Sequence, residues 1–158
     1  MNDPSIPTRG ERSNNPTNLN YLPNSPWRGQ IGLEIVPPGK SYKPRFGRYD
    51  TAHNGIRAGG KQLLAYQQRD ALRTIRQMIN RWAPPADMND TSAYVKAVCN
   101  ACQAGPDDYY PISALSKLQA LVTAIIRQEN GRVIYDADEI RDACRDALGL
   151  PCPPISQV

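Results

Sequence analysis

The sequence predicts a mainly α-helical protein: a bundle of four or five short helices with a long irregular N-terminal arm and at most a short β-hairpin. Two observations predict it. Eight of the 15 prolines fall within the first 48 of the 158 residues, and each proline biases the residue before it towards extended backbone. From about residue 54, apolar residues recur at helical spacing. We therefore predict an extended proline-rich arm over 1–48, a helical domain over 49–150 and a proline-rich tail over 151–158.

The helical part divides at recognisable start and stop signals. Pro84-Pro85 ends one apolar face, and Asn130-Gly131 ends the most regular one. The last helix has acidic residues in its first turn, where the helix dipole favours them. We predict helices in five segments: two between about residue 54 and Trp82, one from Thr91 with Asp90 or Thr91 as its cap, one over Ile112–Ile126, and one from Asp136 to about Leu148.

The arm contains too many apolar and aromatic side chains to be a freely solvated tail. Its alternating stretch Ile31–Val36 predicts a short strand, which Pro37-Pro38 ends. We expect the arm to wrap over the helical core or over a neighbouring subunit. The apolar and aromatic residues concerned are Tyr21, Leu22, Trp27, Ile31, Leu33, Ile35, Tyr42, Phe46 and Tyr49.

Composition excludes several classes of protein. The net charge of +4 comes mostly from the arm, which carries seven basic and four acidic residues up to residue 50. This mild excess suits an anionic partner such as cell wall or an acidic protein face. Without a basic helix, nucleic acid is not an expected partner. Without a long apolar run or an apolar segment at the N-terminus, neither a membrane-spanning protein nor an exported precursor is expected.

The cysteines and the one histidine leave several alternatives open. Cys99 and Cys102 form a C-x-x-C pattern inside a predicted helix, and Cys144 and Cys152 follow. They fit small buried side chains in a reducing cytosol, a disulfide that joins two helices or holds the tail, or a zinc site. His53 has the position of a polar helix cap, with no nucleophile or second base near it in the sequence. No cofactor or metal is predicted.

Carboxylates are the remaining catalytic candidates, because glycoside cleavage needs an acid that is protonated near neutral pH. The acids predicted in loops or at helix ends are Glu11, Glu34, Asp50, Asp87 and Asp90. Others fall in predicted helices beside arginines, where we expect solvated ion pairs. These are Glu129, Asp138, Glu139, Asp142 and Asp146.

Several short motifs occur in order along the chain: Asn14-Asn15-Pro16-Thr17-Asn18-Leu19, Trp27-Arg28-Gly29, Gly55-Ile56-Arg57-Ala58, Arg81-Trp82-Ala83-Pro84-Pro85, Asn89-Asp90-Thr91 and Tyr94. This ordered set resembles a family of bacteriophage and prophage virion proteins, whose pattern is roughly NNPGN, W-x-G, GIRA, WAPP-x-EN-x-T and Y. The set is also distantly similar to the lysozyme-like glucosaminidases of bacterial autolysins and flagellar assembly, which share an N-L-F-G segment and a W-x-G.

The resemblance implies a lysozyme-like helical domain that handles peptidoglycan. In the autolysins the catalytic glutamate precedes the N-L-F-G segment, and the only glutamate before Asn18 here is Glu11. The catalytic candidates that we retain are Glu11, Glu34 and Asp87. Two explanations of these motifs remain open. The motif residues could serve to pack the ends of the helices, or they could line a glycan-binding groove in which aromatic rings stack on sugars. The residues predicted to line it are Trp27, Tyr49, Arg57, Trp82 and Tyr94.

The functional prediction is a structural protein of a phage virion, associated with the tail or baseplate and assembled in the host cytoplasm. Its partners would be other virion proteins and, during entry, peptidoglycan. The alternative is an active virion-associated peptidoglycan hydrolase of the muramidase, glucosaminidase or transglycosylase type. A third hypothesis is a cytosolic adaptor with a small zinc site on its cysteines.

Overall fold

A computed structural model describes residues 3–24 and 26–151, and in these residues the protein is mainly helical with one antiparallel pair of strands. The predicted fold class is confirmed. The elements are α1 (Arg9–Arg12), β1 (Gln30–Leu33), β2 (Gly47–Tyr49), α2 (Ala52–Gln68), α3 (Ile75–Trp82), a 3-10 turn (Pro85–Asp87), α4 (Thr91–Cys102), α5 (Leu115–Asn130) and α6 (Ala137–Ala147).

Side-chain caps fix where the helices begin. The side chains of Thr51, Thr74 and Asp90 accept hydrogen bonds from backbone N–H groups in the first turns of α2, α3 and α4. Such a cap satisfies a donor that has no partner within the helix. Asp90 is thus the cap of α4, which decides between the two residues that the sequence left open. Gly131, in the left-handed region with φ +72°, ends α5 as predicted.

Helices α2 to α6 enclose one apolar core. Helix α2 packs along α6, α5 packs on both α4 and α6, and α3 packs on α4. Gly60 permits the close approach of α2 to α6, since a Cβ there would lie 3.2 Å from the Cβ of Ala147. The largest fully buried aliphatic side chains of this core are Ile56, Leu63, Ile75, Met78, Ile79, Ile112, Leu118, Leu121, Ile125 and Ile126.

The arm contains a helix that the sequence analysis did not predict. Helix α1 is one turn long and starts with a reciprocal capping box: the Thr8 hydroxyl accepts from the Glu11 backbone N–H, and the Glu11 carboxylate accepts from the Thr8 backbone N–H. The prediction that prolines keep the whole arm free of helix is wrong here. The stretch between Pro7 and Pro16 contains no proline, and one well-capped turn fits in it.

The strand predicted over Ile31–Val36 is confirmed for its first half, since β1 covers Gln30–Leu33 and the residues from Glu34 to Val36 lie outside it. Strand β1 pairs with β2 in an antiparallel ladder that is interrupted by an irregularity between Gln30 and Gly32. The segment before β1 joins the same ladder, because Asn20 forms a bridge with Phe46 and the Gly47 N–H donates to the Leu19 carbonyl. The middle of the arm is therefore held to its C-terminal end.

The arm packs on the chain's own helices through a loop over 14–18 and two glycines of α2. A Cβ on Gly55 would lie 1.6 Å from the carbonyl oxygen of Asn14, and one on Gly59 would lie 2.6 Å from Oγ1 of Thr17. The loop can approach this closely only because both helix positions lack a side chain. Asn15, fully buried, closes the loop: its amide accepts from the Leu19 N–H and donates to the Leu19 carbonyl.

The cysteines that the structure describes lie in helices. Cys99 and Cys144 are buried and Cys102 is half-buried, and burial raises the pKa of each thiol. Cys152, for which a disulfide to the tail was one alternative, lies outside the described residues. Within 3–24 and 26–151, no three cysteine, histidine or acidic side chains come close enough together to bind a metal ion. None of the described helices has the length and apolar character needed to cross a membrane.

Candidate functional site

Among the described carboxyl groups with a shifted pKa, Glu129, in the last turn of α5, is the one whose pKa is raised. Its Oε1 accepts a hydrogen bond of 3.0 Å from the Tyr94 hydroxyl, and its Oε2 accepts one of 2.9 Å from Nδ2 of Asn18. These partners come from α4 and from the arm. Three parts of the chain that are distant in sequence therefore meet at one acid.

Burial raises the pKa of Glu129 above the ordinary value for a glutamate, because a charged carboxylate loses solvation when it is enclosed. The hydrogen bonds from Asn18 and Tyr94 and the positive charge of Arg45 act in the opposite direction but do not outweigh the burial. The pKa of Tyr94 is also raised, first by its own burial and then by the neighbouring Glu129.

Local backbone geometry explains how Asn18 reaches Glu129. Asn18 has φ +54°, in the left-handed region that asparagine tolerates better than most residues. Its N–H donates to the carbonyl of Asn15, which forms a tight turn. Asn130, the next residue after Glu129, also binds this turn: its Nδ2 donates to the carbonyl of Pro16.

Two cavities border this cluster. Glu129 lines the larger one, of about 720 Å³, between the start of the arm and the turn after α5. Asn18, its hydrogen-bond partner, lines a smaller one of about 100 Å³. The two cavities share no lining residue; we call them together the Glu129 groove because Glu129 lines one and its hydrogen-bond partner Asn18 lines the other. The other residues around it are Asp3, Pro4, Ile6, Pro7, Thr8, Asn130, Gly131 and Arg132 at the larger cavity, and Leu19, Asn20, Arg45, Tyr66, Arg81, Trp82, Pro84 and Asp87 at the smaller one.

Three of the predicted site residues lie at this groove. Trp82 and Asp87 line its smaller cavity, and Tyr94 binds Glu129 directly. Asp87 also lies 3.6 Å from Arg45 across the cavity mouth. The WAPP and N-D-T motifs are therefore close to the arm motif that contains Asn18.

The other two predicted acids, Glu11 and Glu34, are ion-paired. Arg132 donates to both oxygens of Glu11 at 2.9 and 2.7 Å, and this hydrogen bonding lowers the pKa of Glu11. Burial alone would raise the pKa of Glu34, but hydrogen bonds from Arg9 and from the backbone N–H groups of Arg45 and Phe46 outweigh it and lower the pKa. Both groups favour the ionised form, whereas a general acid must carry a proton.

The remaining predicted glycan-binding residues lie away from Glu129. Tyr49 is only 1% exposed and packs with Leu19 and Ala58, so its ring is covered by the protein itself. Trp27 packs on the same cluster and lines a separate cavity of about 250 Å³. Arg57, on α2, faces Asp146 of α6 with 3.4 Å between Nε and Oδ1.

Asp146 joins the two motifs that contain Trp27 and Arg57. Its Oδ2 accepts hydrogen bonds from Arg28 and, at 2.8 Å, from Nε2 of His53. Burial opposes ionisation of Asp146, but these hydrogen bonds and the nearby arginines outweigh it and lower its pKa to about 2. The cap of α2 is Thr51, so the prediction of His53 as the helix cap is wrong; His53 lies in the first turn of α2 and contacts Asp146 of α6 instead.

Replacing Asp146 with asparagine is expected to lower the free energy of unfolding at neutral pH by about 1 kcal/mol, because solvent screens the partly exposed partners. The pKa of Asp146 is lowered on folding, so the carboxylate stabilises the folded protein at pH values above its pKa in the unfolded chain, about 3.9. This stabilisation is lost as the pH falls towards about 2. Urea unfolding of both proteins across this range measures the difference. The matched control is Asp142→Asn on the same helix; an equal loss in the control, or a loss that persists at low pH, contradicts this account.

Sequence reasoning missed Glu129 and Asn18. Glu129 was interpreted as a solvated ion-pair residue, and that interpretation is wrong: its carboxyl group binds Tyr94 and Asn18. A signal was present, since Glu129 lies three and four residues after Ile126 and Ile125 and therefore continues the apolar face of α5. An acid on a buried face needs polar partners, and those could not be read from the helix alone.

The chain has a relative among known phage proteins. No family model matches the chain. It is 34% identical over 140 residues to Protein P5 of Pseudoalteromonas phage PM2, an alignment that covers 84% of this chain and 78% of that protein. The chain belongs to the family of this phage protein. Membership confirms the phage part of the resemblance seen in the motifs.

Proposed function

We propose that this protein is a structural component of a phage particle, associated with the tail or baseplate, and that its Glu129 groove contacts peptidoglycan during entry. The observation that carries the proposal is membership in the family of a phage protein. The particle would assemble in the host cytoplasm, with other virion proteins as the partners of this chain.

The surface of the arm supports a role in assembly. Ile6, Ile31 and Ile35 are between 53% and 66% exposed, all within a segment that otherwise packs on the helices. Single exposed apolar residues are common, but several on one segment are typical of a surface that another subunit covers. This fits the expectation that part of the arm contacts a neighbouring subunit.

The composition of the groove supports contact with a glycan. Sugar rings are bound by aromatic faces together with amide and guanidinium groups that orient their hydroxyls. The smaller cavity combines Trp82 with the amides of Asn18 and Asn20 and with Arg45 and Arg81.

Mass spectrometry of purified phage particles tests the assembly role. We expect peptides of this chain in the particles, at an amount comparable to other minor structural proteins, and in the tail fraction after the particles are dissociated. Its absence from washed particles contradicts the structural role. Recovery only with the capsid shells contradicts the placement in the tail or baseplate.

A second function, cleavage of peptidoglycan strands, is favoured by one observation. The Glu129 carboxyl group is enclosed at a groove, and burial raises its pKa. A raised pKa favours the protonated form, which a general acid requires.

A further inference from the structure

We propose that strand β1 is a self-association site: two copies of this chain pair their β1 strands edge to edge in antiparallel directions, with Leu33 opposite the partner's Leu33. The inference rests on the proposed role in a phage particle, in which part of the arm contacts a neighbouring subunit. It names that neighbour as a second copy of this chain.

The first support is an open strand edge. Strand β2 is hydrogen-bonded on both sides, by β1 and by the segment before β1, whereas β1 pairs with β2 alone in the sheet that the structure describes. The Glu34 N–H donates to the Phe46 carbonyl. Because N–H groups alternate in direction along a strand, those of Leu33 and Ile35 point away from β2. Their backbone groups are therefore open to a further strand.

The second support is the exposure of the aliphatic side chains on this edge. Ile31, Leu33 and Ile35 are 53%, 38% and 66% exposed. Glu34 is only 5% exposed and forms an ion pair with Arg9. This is the reverse of the usual arrangement, in which the charged residues of an antiparallel sheet face water and the aliphatic ones are buried. A surface of this kind is stabilised when another protein covers it.

Strand β1 also lacks most of the features that keep edge strands apart. Lysine, arginine and proline, which usually protect an edge, are absent from residues 30–36. The irregularity in its ladder lies at the start of the strand, between Gln30 and Gly32. The edge from Leu33 onwards is therefore unprotected.

The third support, which selects a second copy as the partner, is the symmetry of the strand sequence. Ile31 and Ile35 lie two positions on either side of Leu33. An antiparallel pair centred on Leu33 therefore places Ile31 opposite the partner's Ile35 twice, so that all three opposing pairs are aliphatic. Such cross-strand pairs stabilise a sheet, and a self-complementary surface is what a two-fold dimer requires.

The charges at the two ends of β1 favour the antiparallel direction. Lys40 and Lys43 follow the strand and are exposed, and Asp50 is exposed and donates its N–H to the carbonyl of the residue before β1. None of the described ion pairs includes these three residues, whereas Arg28, near Asp50, is paired with Asp146. Antiparallel pairing brings the lysines of each copy towards the aspartate of the other, and parallel pairing would bring like charges together.

The size of the contact sets the expected affinity. One strand edge buries much less surface than the roughly 1,600 Å² of a stable protein complex. We therefore expect a dissociation constant between about 10 μM and 1 mM in solution. In a particle that holds several copies close together, the effective concentration is high enough for such a contact to form.

Sedimentation equilibrium of the full chain measures the association, with a reductant present so that disulfides between copies do not contribute. The variant is Leu33→Lys, which places two like charges opposite each other at the centre of the pair. The matched control is Ile134→Lys, which adds the same charge at an exposed aliphatic position between α5 and α6.

We expect the average mass of wild type and of Ile134→Lys to rise from 17.5 kDa towards twice that value as the concentration increases. We expect Leu33→Lys to associate at least about tenfold more weakly. Wild type that stays monomeric at about 1 mM overturns the proposal. Association of Leu33→Lys equal to that of wild type also overturns it, because the copies then meet through another surface.

A mixture of Leu33→Lys with Leu33→Glu tests the register. Opposite charges face each other only if residue 33 of one copy lies opposite residue 33 of the other. We expect the mixture to associate more strongly than either variant alone, and a mixture that does not do so overturns the register. If either variant fails to fold, isotope-filtered NMR of wild type decides: contacts between the Ile31 and Ile35 methyl groups of different copies support the pairing, and their absence overturns it.

Other partners of this edge give different results. Wild type that binds phosphatidylglycerol vesicles but does not self-associate overturns the proposal in favour of a lipid surface. Failure of self-association is also distinguishable from failure of the proposed function. A monomeric chain that is present in purified particles overturns only the pairing, whereas absence of the chain from particles overturns the structural role itself.

Discussion

Replacing Gly55 with alanine is expected to detach the 14–18 loop from α2 and to lower the free energy of unfolding by about 3 kcal/mol or more. The added Cβ would lie 1.6 Å from the carbonyl oxygen of Asn14, a distance that forces the backbone of the loop to move. Asn18 then moves away from Glu129, so the loss extends to the candidate site. Urea unfolding measures the stability, and the NMR signals of Asn18 report on the loop.

The expected loss of stability is opposite in sign to the usual effect of replacing glycine with alanine in a helix. Alanine in place of glycine inside an exposed helix normally stabilises by about 1 kcal/mol. The matched control is Gln68→Ala at the exposed end of α2, for which a change within about 0.5 kcal/mol is expected. A Gly55→Ala protein that is more stable than wild type would show that the loop does not dock as described.

Replacing Asn130 with alanine is expected to cost about 3 kcal/mol, because several buried polar groups lose their partner at once. Its Oδ1 accepts from the Thr8 hydroxyl at 2.6 Å, and its Nδ2 donates to the carbonyls of Pro16 and Ile126. One amide therefore connects the start of the arm, the 14–18 loop and the end of α5. Thermal and urea unfolding measure the loss.

Asn80→Ala provides a close control for this substitution. The Asn80 amide also donates to the carbonyl four residues earlier, that of Arg76, but it is exposed and has no contact with the arm. We expect its removal to change the free energy of unfolding by about 0.5 kcal/mol or less. Equal losses for the two variants would contradict the view that Asn130 holds the arm.

The helical domain was predictable because its signals are local. Thr74 with Gln77, Asp90, and Asn130-Gly131 are start and stop signals that lie within a turn of the boundaries they set. Strand β1 was predictable for the same reason, from alternation ended by prolines, whereas its partner β2 was not predicted. The one-turn helix α1 was missed because prolines were counted over the whole arm, and the segment between Pro7 and Pro16, which has none, was not considered separately.

The candidate site was predictable only in part, because it depends on contacts between distant residues. Trp82, Asp87 and Tyr94 were predicted, and they come from the end of α3, the 3-10 turn and the first turns of α4; Trp82 and Asp87 line the smaller cavity and Tyr94 binds Glu129. Glu129 and Asn18 are more than a hundred residues apart in sequence. Their contact depends on the docking of the arm on the two glycines of α2, which no local pattern indicates.

The protonation of Glu129 is the most direct test of this account. An NMR titration that follows the side-chain carboxyl carbons of the glutamates gives the pKa of each group in the folded protein. The account predicts that Glu129 titrates above the ordinary glutamate value of about 4.3, with Glu11 and Glu34 below it. A midpoint for Glu129 at or below that value would contradict the claim that the fold keeps a proton-donating acid at this groove.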